Sequence, residues 1–264
     1  MIFVTRSFDG GQRFERARVA AEVDEVGLFD PVQGRLTFDG VAGARTNSFP
    51  IADIANGAPD GDGPDTIILT FSDGQTPDAP GEPNEQARIL TSVDQGETFT
   101  DQTVASPGGD RPDFPAVAIS PDGTDAYVVY NNFLQPWQSS ILNPPRLMQG
   151  VVRHAEVDPG TGAVGAWGDL LRAETGDARG SSANGLTSEF IGDYNYAVAT
   201  NDFGVAVWND VREAAQCPAV DEFRNFAAGG PEAPEPRPNT DCPQSEGSAF
   251  GNSDIFGGVF TDPS

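Results

Sequence analysis

The chain has 264 residues, including 31 Gly and 22 Pro, and its 40 acidic against 15 basic residues give a net charge of −25 at pH 7. So large a negative charge opposes binding to nucleic acid or to an anionic membrane surface, and we expect neither partner. Glycine and proline spread along the whole length favour many short strands joined by turns. We therefore expect an all-β fold in a single domain that covers residues 1–264.

The first predicted element is a strand at residues 2–6, which leads into a turn of distinctive sequence. The turn reads Ser-Phe-Asp-Gly-Gly-Gln-Arg-Phe, and the pattern returns at 92–99 as Ser-Val-Asp-Gln-Gly-Glu-Thr-Phe. In each copy the aspartate can accept hydrogen bonds from its own turn, the glycine can adopt a positive φ, and the last phenylalanine can fold back into the core. The residues given this structural role are Ser7, Asp9, Gly11, Phe14, Ser92, Asp94, Gly96, Thr98 and Phe99.

These two segments resemble the Asp box, or bacterial neuraminidase repeat, of sialidase-type β-propellers. The second copy matches every signature position, whereas the first has Arg13 where the repeat has threonine. The resemblance implies a sialidase-type propeller in which both boxes are structural corners far from any substrate. It therefore predicts the architecture more directly than the chemistry.

Between and after the two boxes, short apolar runs recur in the order expected for four-stranded propeller blades. One predicted blade has its strands at residues 49–54, 66–71, 87–91 and 99–105. The next has its strands at residues 115–120, 126–130, 149–154 and 163–171, with the corner Asp-Pro-Gly-Thr-Gly at 158–162.

The two ends of the chain read as incomplete blades. Residues 2–20 supply only a third and a fourth strand, with an extra hairpin strand at 35–38, and residues 194–200, 204–208 and 254–260 supply three strands. Two complete and two partial blades are too few for a closed ring, so we expect a fragment of a propeller. The alternative is a compact, unusual all-β domain whose two ends pair with each other.

The strongest candidate site lies in residues 189–196 and 205–212. Gly-Asp-Tyr, followed one hairpin later by Trp-x-Asp-x-Arg, resembles a pattern of exo-α-sialidases and sialidase-like proteins. The resemblance implies that Arg212 holds a sugar carboxylate, that Tyr194 or Tyr196 is the nucleophile, that Glu189 activates it, and that Asp193 is the acid/base. The alternative is structural: the aspartate caps a strand and Arg212 pairs with Asp210 at a solvated rim.

Further candidates lie elsewhere on the chain. Arg111 and Asp113 precede an inner strand in the same way as Asp193, so we expect them at the same central mouth. Trp137, in a loop, can stack on a sugar face or pack beneath that loop. Trp167 and Trp208 fall in strands and are read as core, and His154 is read as a rim residue. The residues that we expect to bind substrate are Arg111, Asp113, Trp137 and Tyr196.

Residues 213–252 read as a loop insertion because the stretch between Cys217 and Cys242 is rich in Pro, Gly and Asn. A disulfide that closes a loop of this length stabilises by about 3 kcal/mol and suits an exported protein, whereas the alternative is two unpaired thiols. No metal-ligand or cofactor signature is present, so we expect no cofactor and no metal. The whole sequence favours a sialidase-like glycoside hydrolase, or a segment of one, acting on glycans outside the cell. The alternative is a non-catalytic propeller that binds carbohydrate or protein.

Overall fold

A computed structural model describes the chain at residues 1–30, 35–37, 46–59, 61–79, 82–135, 147–178, 191–192, 194–214 and 253–263. Within these ranges every regular element is a β-strand, and all strand pairs are antiparallel. No helix in the described ranges is long and apolar enough to cross a membrane. The chain is therefore all-β, as its composition predicts.

Two small hairpins come first. One pairs β1 (Ile2–Val4) with β2 (Arg18–Ala21), and the other pairs β3 (Leu28–Asp30) with β4 (Arg35–Thr37). The second hairpin contains the extra strand that the sequence predicts near residue 35. The β1–β2 pair is called the N-terminal sheet below.

Two four-stranded meanders follow, as expected for propeller blades. Blade I runs in the order β5 (Ile51–Ile54), β6 (Ile67–Ala79), β7 (Glu82–Ser92) and β8 (Thr100–Val104). Blade II runs in the order β9 (Pro112–Ile119), β10 (Asp125–Phe133), β11 (Leu147–Glu156) and β12 (Gly168–Arg172), and the short β13 (Gly176–Asp177) also pairs with β11.

Blade III has three described strands, β14 (Tyr196–Ala199), β15 (Phe203–Asp210) and β16 (Asp254–Thr261), in that order. The inner strands β5, β9 and β14 lie side by side around one groove, because residues from all three line it. This radial order of sequential antiparallel sheets is the β-propeller arrangement. The predicted strand order of the complete blades is therefore confirmed.

The core lies between the blades rather than within a single sheet. Apolar residues of β6 and β7, such as Ile68 and Ile89, pack on Val117 and Val128 of blade II. On the other side of blade II, Ala116 and Val129 pack on Trp208 of blade III. Neighbouring residues of β9 thus enter different cores, and every residue of β9 is buried. This explains why the inner strand reads as a continuous apolar run and does not alternate.

Blade III packs against blade II through two large aromatic rings, each of which lies directly over a glycine. A Cβ on Gly150 would come within 2.2 Å of the Trp208 ring, and a Cβ on Gly204 within 2.4 Å of the Tyr127 ring. Each ring occupies the space that a side chain would otherwise fill. The two contacts fix β15 across β10 and β11.

The two repeated turns form with the hydrogen bonds that their sequence predicts. Gly96 N donates to Ser92 Oγ at 2.9 Å, and Thr98 donates to Asp94 through its N at 2.9 Å and its Oγ1 at 2.6 Å. In the first turn, Gly11 N donates to Ser7 Oγ at 2.9 Å, and Gln12 and Arg13 donate through their backbone N atoms to Asp9. Gly11 and Gly96 have φ angles of 82° and 75°.

The terminal phenylalanines of the two turns differ. Phe99 packs against the core between the N-terminal sheet and blade I, as predicted, but Phe14 is 63% exposed. The predicted burial of Phe14 is therefore wrong. The paired residues Phe3 and Val19 are also exposed on the N-terminal sheet, so in the described structure no second sheet covers that side.

Candidate functional site

The connections β8–β9, β12–β14 and β15–β16 leave the strands at one end of the domain, which we call the mouth face. The repeated turns lie at the other end, because each one joins adjacent antiparallel strands there. One small apolar cluster at the mouth face brings together Phe114 of β9, Ile191 of the β12–β14 connection and Val211, which follows β15. The sequence-predicted residues next to them, Asp113 and Arg212, therefore reach the same end of the domain.

Asp113 is enclosed at the start of β9. It is 1% exposed, and its Oδ1 accepts a hydrogen bond from Thr46 Oγ1 at 2.7 Å. Arg111, two residues earlier, donates through its backbone N to Asn132 Oδ1 at 2.7 Å, while its Nη1 lies 3.4 Å from Gly109 O. Asp113 thus anchors the segment that enters the inner strand, and Arg111 is the more accessible of the two.

The central charged network of the mouth face contains residues that the sequence analysis did not single out. Asp110 accepts two parallel bonds from Arg172, at 3.1 and 3.0 Å, together with one from Tyr130 Oη at 2.6 Å. Bonding to Asp110 raises the pKa of Arg172, and burial, with Asp110 close by, raises that of Tyr130. Both groups keep their protons at any ordinary pH.

A second ion pair holds the arginine that the sialidase-like pattern singles out. Arg212 donates through Nε and Nη2 to the two oxygens of Asp210, at 2.8 and 2.6 Å, and its guanidinium lies 4.2 Å from the Phe256 ring centroid. Trp208 Nε1 also donates to Asp210 at 3.2 Å. This is the structural pairing that the sequence analysis gives as the alternative for Arg212.

The most exposed aromatic groups of the site are Tyr194 and Tyr196, at 56% and 59%. The Tyr194 ring stands edge-on to Phe49 with the centroids 6.1 Å apart, and Phe49 in turn lies 5.7 Å from Phe114. Tyr196 lies lower, in the groove of about 340 Å³ between the inner strands. Asn195, between the two tyrosines, donates to Phe114 O at 2.8 Å and so fixes their backbone.

Glu85, on β7 across from Gly74, is a buried carboxyl beneath the mouth face. It is 1% exposed, and neither of its oxygens has a hydrogen-bond partner among the described residues. Burial raises its pKa to about 8, with Arg111 acting in the opposite direction. No sequence pattern singles this residue out, since a glutamate near a hairpin tip is normally solvated.

His154 also differs from its predicted position. It is 6% exposed and its Nε2 lies 2.8 Å from Asp125 Oδ1, so it is an internal residue and not a rim residue. Trp208 is buried at 3% and Trp167 packs partly buried against a core, as predicted. Glu189, Asp193, Trp137, Cys217 and Cys242 lie outside the described residues.

No family model matches the sequence, and no curated protein matches it. Among solved structures, a family 117 glycoside hydrolase of the marine bacterium Zobellia galactanivorans is 13% identical, with 71% of this chain and 53% of that chain covered and a TM-score of 0.35. A Trypanosoma rangeli sialidase is 14% identical (72% and 34% covered, TM-score 0.32), as is a Fusarium graminearum α-L-arabinofuranosidase (69% and 47% covered, TM-score 0.36).

The chain thus spans about half, or less, of each of these proteins. Similarity at these identities and TM-scores carries no argument about activity. The propeller arrangement is shown by the chain's own strand order, and its function is argued from its own residues.

Proposed function

We propose that this chain is a glycan-binding propeller that takes a neutral sugar on the aromatic platform formed by Phe49, Tyr194 and Tyr196. Exposed aromatic rings on a fixed backbone are suited to stacking on the apolar face of a sugar ring. Tyr194 is backed by Phe49, and Asn195 holds the backbone between the two tyrosines. The platform is therefore already shaped before a ligand arrives, which lowers the entropic cost of binding.

The observation that carries the proposal is the state of the arginines. Arg172 is matched by Asp110, and Arg212 is matched by Asp210, so neither guanidinium is available to grip a sugar carboxylate. Taking either one away would leave a partly buried aspartate without its partner, which is unfavourable. Together with the net charge of −25, this favours a neutral glycan over a sialylated one.

A second candidate is the sialidase-like hydrolase that the sequence resembles. It is favoured by the exposure of the Tyr194 phenol at the mouth face. In that reading Tyr194 is the nucleophile, with Glu189 and Asp193 as its activating and acid/base groups and with Arg111 and Trp137 contacting substrate. Asp113 does not fit a direct role, because it is enclosed and bonded to Thr46.

A glycan array combined with a turnover assay separates the two candidates. We expect the purified chain to bind neutral oligosaccharides on the array and to release no fluorophore from a fluorogenic sialoside. Preferential binding of sialylated glycans would contradict the proposal. Release of sialic acid, abolished by Tyr194→Phe, would establish the hydrolase instead.

We also propose that the protein works outside the cell and that Cys217 and Cys242 form a disulfide. The support is that the chain has only two cysteines and that they flank a loop-like sequence. A disulfide between them would suit an oxidising compartment. Thiol titration of the denatured, non-reduced chain should then detect no free thiol, and two after reduction. Two titratable thiols before reduction would refute the bridge.

A further inference from the structure

Three potential metal ligands from distant parts of the chain meet at the end of the domain opposite the mouth face. Asp125 begins β10, His154 lies near the end of β11, and Asp262 directly follows β16. His154 Nε2 is 2.8 Å from Asp125 Oδ1 and 4.0 Å from Asp262 Oδ1. One ligand atom from each of the three residues lies within 4.8 Å of the others.

These separations suit a shared cation. Ligand atoms bound to one metal at about 2.1 Å stand roughly 3 to 4 Å from each other. The distances of 2.8 and 4.0 Å from His154 Nε2 fall close to that range, and the ligand atoms of Asp125 and Asp262 lie within 4.8 Å of each other. The orientation of the Asp125 carboxylate is also fixed, because its second oxygen, Oδ2, accepts a hydrogen bond from Thr124 Oγ1 at 2.6 Å. The donor set is therefore partly preorganised.

The charge of the cluster also favours a bound cation. Asp125 and His154 are 4% and 6% exposed, and the side chain of Asp262 is 23% exposed, so two carboxylates and one imidazole meet in a mostly enclosed space. Two carboxylates brought this close together are unfavourable unless a cation pairs them. A divalent cation shared by the three residues balances the charge of both carboxylates.

A separate observation comes from Tyr127. This residue stands directly opposite His154 in the β10–β11 register, with the ring centroids 5.0 Å apart, and two positions after Asp125 on the same face. Its side chain is 1% exposed, and within the described structure its buried hydroxyl has no hydrogen-bond partner. Burial, with Asp125 and Asp262 nearby, raises the pKa of Tyr127 to about 12.

A buried tyrosine hydroxyl normally has a partner. The tyrosine ring lies against the His154 imidazole, beside the cluster, and its hydroxyl bonds neither carboxylate. A metal-bound water there would give the hydroxyl its missing partner and fill a remaining coordination position. Access is available as well, because a cleft of about 420 Å³ bordered by His154 and Pro263 reaches the cluster from outside.

We infer that Asp125, His154 and Asp262 form a binding site for one divalent first-row cation, and that Zn²⁺ is the cation the site prefers. One imidazole nitrogen with two carboxylates suits Zn²⁺, whereas Ca²⁺ and Mg²⁺ favour all-oxygen sets. Asp125 and His154 belong to blade II, and Asp262 follows the last strand of blade III. The cation therefore clamps blade III to blade II, and its role is structural.

The test uses the full 264-residue chain, freed of metal with EDTA and then dialysed. Titration with ZnCl₂ in a calorimeter should show one site per chain. Zn²⁺ at one hundred times its Kd should raise the Tm by about 5 to 10 °C. Absence of saturable binding, or an equal rise in Tm with MgCl₂, would overturn the inference, because the acidic surface alone would then account for the effect.

Two variants assign the site. Asp262→Asn should weaken Zn²⁺ binding at least tenfold while the apo chain stays folded, since Asp262 is the least buried ligand. Asp254→Asn, which removes an exposed acid from β16 itself, is the matched control and should bind Zn²⁺ as the parent does. Equal affinities in the parent chain and Asp262→Asn would contradict the site. Substitution by Co²⁺ should give visible d–d absorption in the parent and not in Asp262→Asn.

Discussion

Glu85 shows how a single carboxyl couples the fold to pH. Glu85 lies on the same face of β7 as Ala87 and Ile89, which pack against blade II, and among the described residues none donates a hydrogen bond to its carboxylate. Because burial raises its pKa to about 8, the carboxyl is protonated in the folded protein at neutral pH. In the unfolded chain the same group ionises near 4.5. The unfolded state therefore binds fewer protons than the folded state between these two pH values.

From this difference we expect Glu85→Gln to be more stable than the parent at neutral pH. The free energy of unfolding of the parent should fall as the pH rises from about 4.5 to 8. The variant should lack the part of this fall that comes from residue 85. At pH 7 the difference can reach about 3 kcal/mol, at 1.36 kcal/mol per pKa unit. Urea unfolding at pH 4.5, 6 and 8 measures it.

Glu22→Gln is the control for the loss of one negative charge, because Glu22 is exposed. Its stability should follow the parent at each pH. If Glu85→Gln and the parent keep a constant difference from pH 4.5 to 8, the carboxyl does not titrate in this window and the account of Glu85 is wrong.

At the residue scale, sequence predicts contacts only where the partners are close along the chain. The bonds of Asp94 reach Thr98, four positions away, so the turn could be derived from its letters alone. The bond between Asp110 and Arg172 spans 62 positions. Nothing in either local sequence indicates that pairing, because β12 lies at the far edge of blade II from β9, and the two residues meet only when the β8–β9 connection reaches the end of β12.

At the scale of elements, the contact between β11 and β15 depends on a glycine. Trp208 occupies the space above Gly150, and a methyl group there would come within 2.2 Å of the indole. Gly150→Ala should therefore force the ring or the strand to shift. We expect a loss of about 1 to 3 kcal/mol in the free energy of unfolding, as is typical of overpacked cores.

Gly168→Ala on β12 is the matched control, because a Cβ at this strand glycine meets no atom within 4 Å. It should leave the unfolding midpoint in urea nearly unchanged. Equal midpoints for Gly150→Ala and Gly168→Ala would show that the Trp208 contact is more tolerant than its geometry indicates.

The strand order was predictable because buried inner strands and corner turns carry strong local signals. The lengths of the strands were not predictable from the sequence. The second and third strands of blade I were expected at 66–71 and 87–91, but β6 and β7 extend to Ala79 and Glu82. Residues such as Gly74 and Gln75 have low β propensity, yet the pairing of β6 with β7 holds them in an extended hairpin.

At the scale of the whole molecule, the acidic surface and the internally paired arginines act in the same direction. An anionic ligand meets net repulsion from the chain and finds the guanidinium groups of Arg172 and Arg212 already engaged. The exposed rings of Tyr194 and Tyr196 offer a recognition surface that suits an uncharged ligand. The sequence placed Asp113, Tyr194 and Arg212 at one face, but only the structure distinguishes an anchor, a platform and an internal ion pair among them.

The central claim is that Tyr194 supplies the contact surface for a neutral glycan, and calorimetric titration of Tyr194→Ala tests it most directly. The ligand is the neutral oligosaccharide bound most strongly on the array, and Phe3→Ala removes an equally exposed ring from the N-terminal sheet as the control. We expect the Kd to rise about tenfold or more for Tyr194→Ala, with no change for Phe3→Ala. An unchanged Kd for Tyr194→Ala, with the protein folded, would contradict the account.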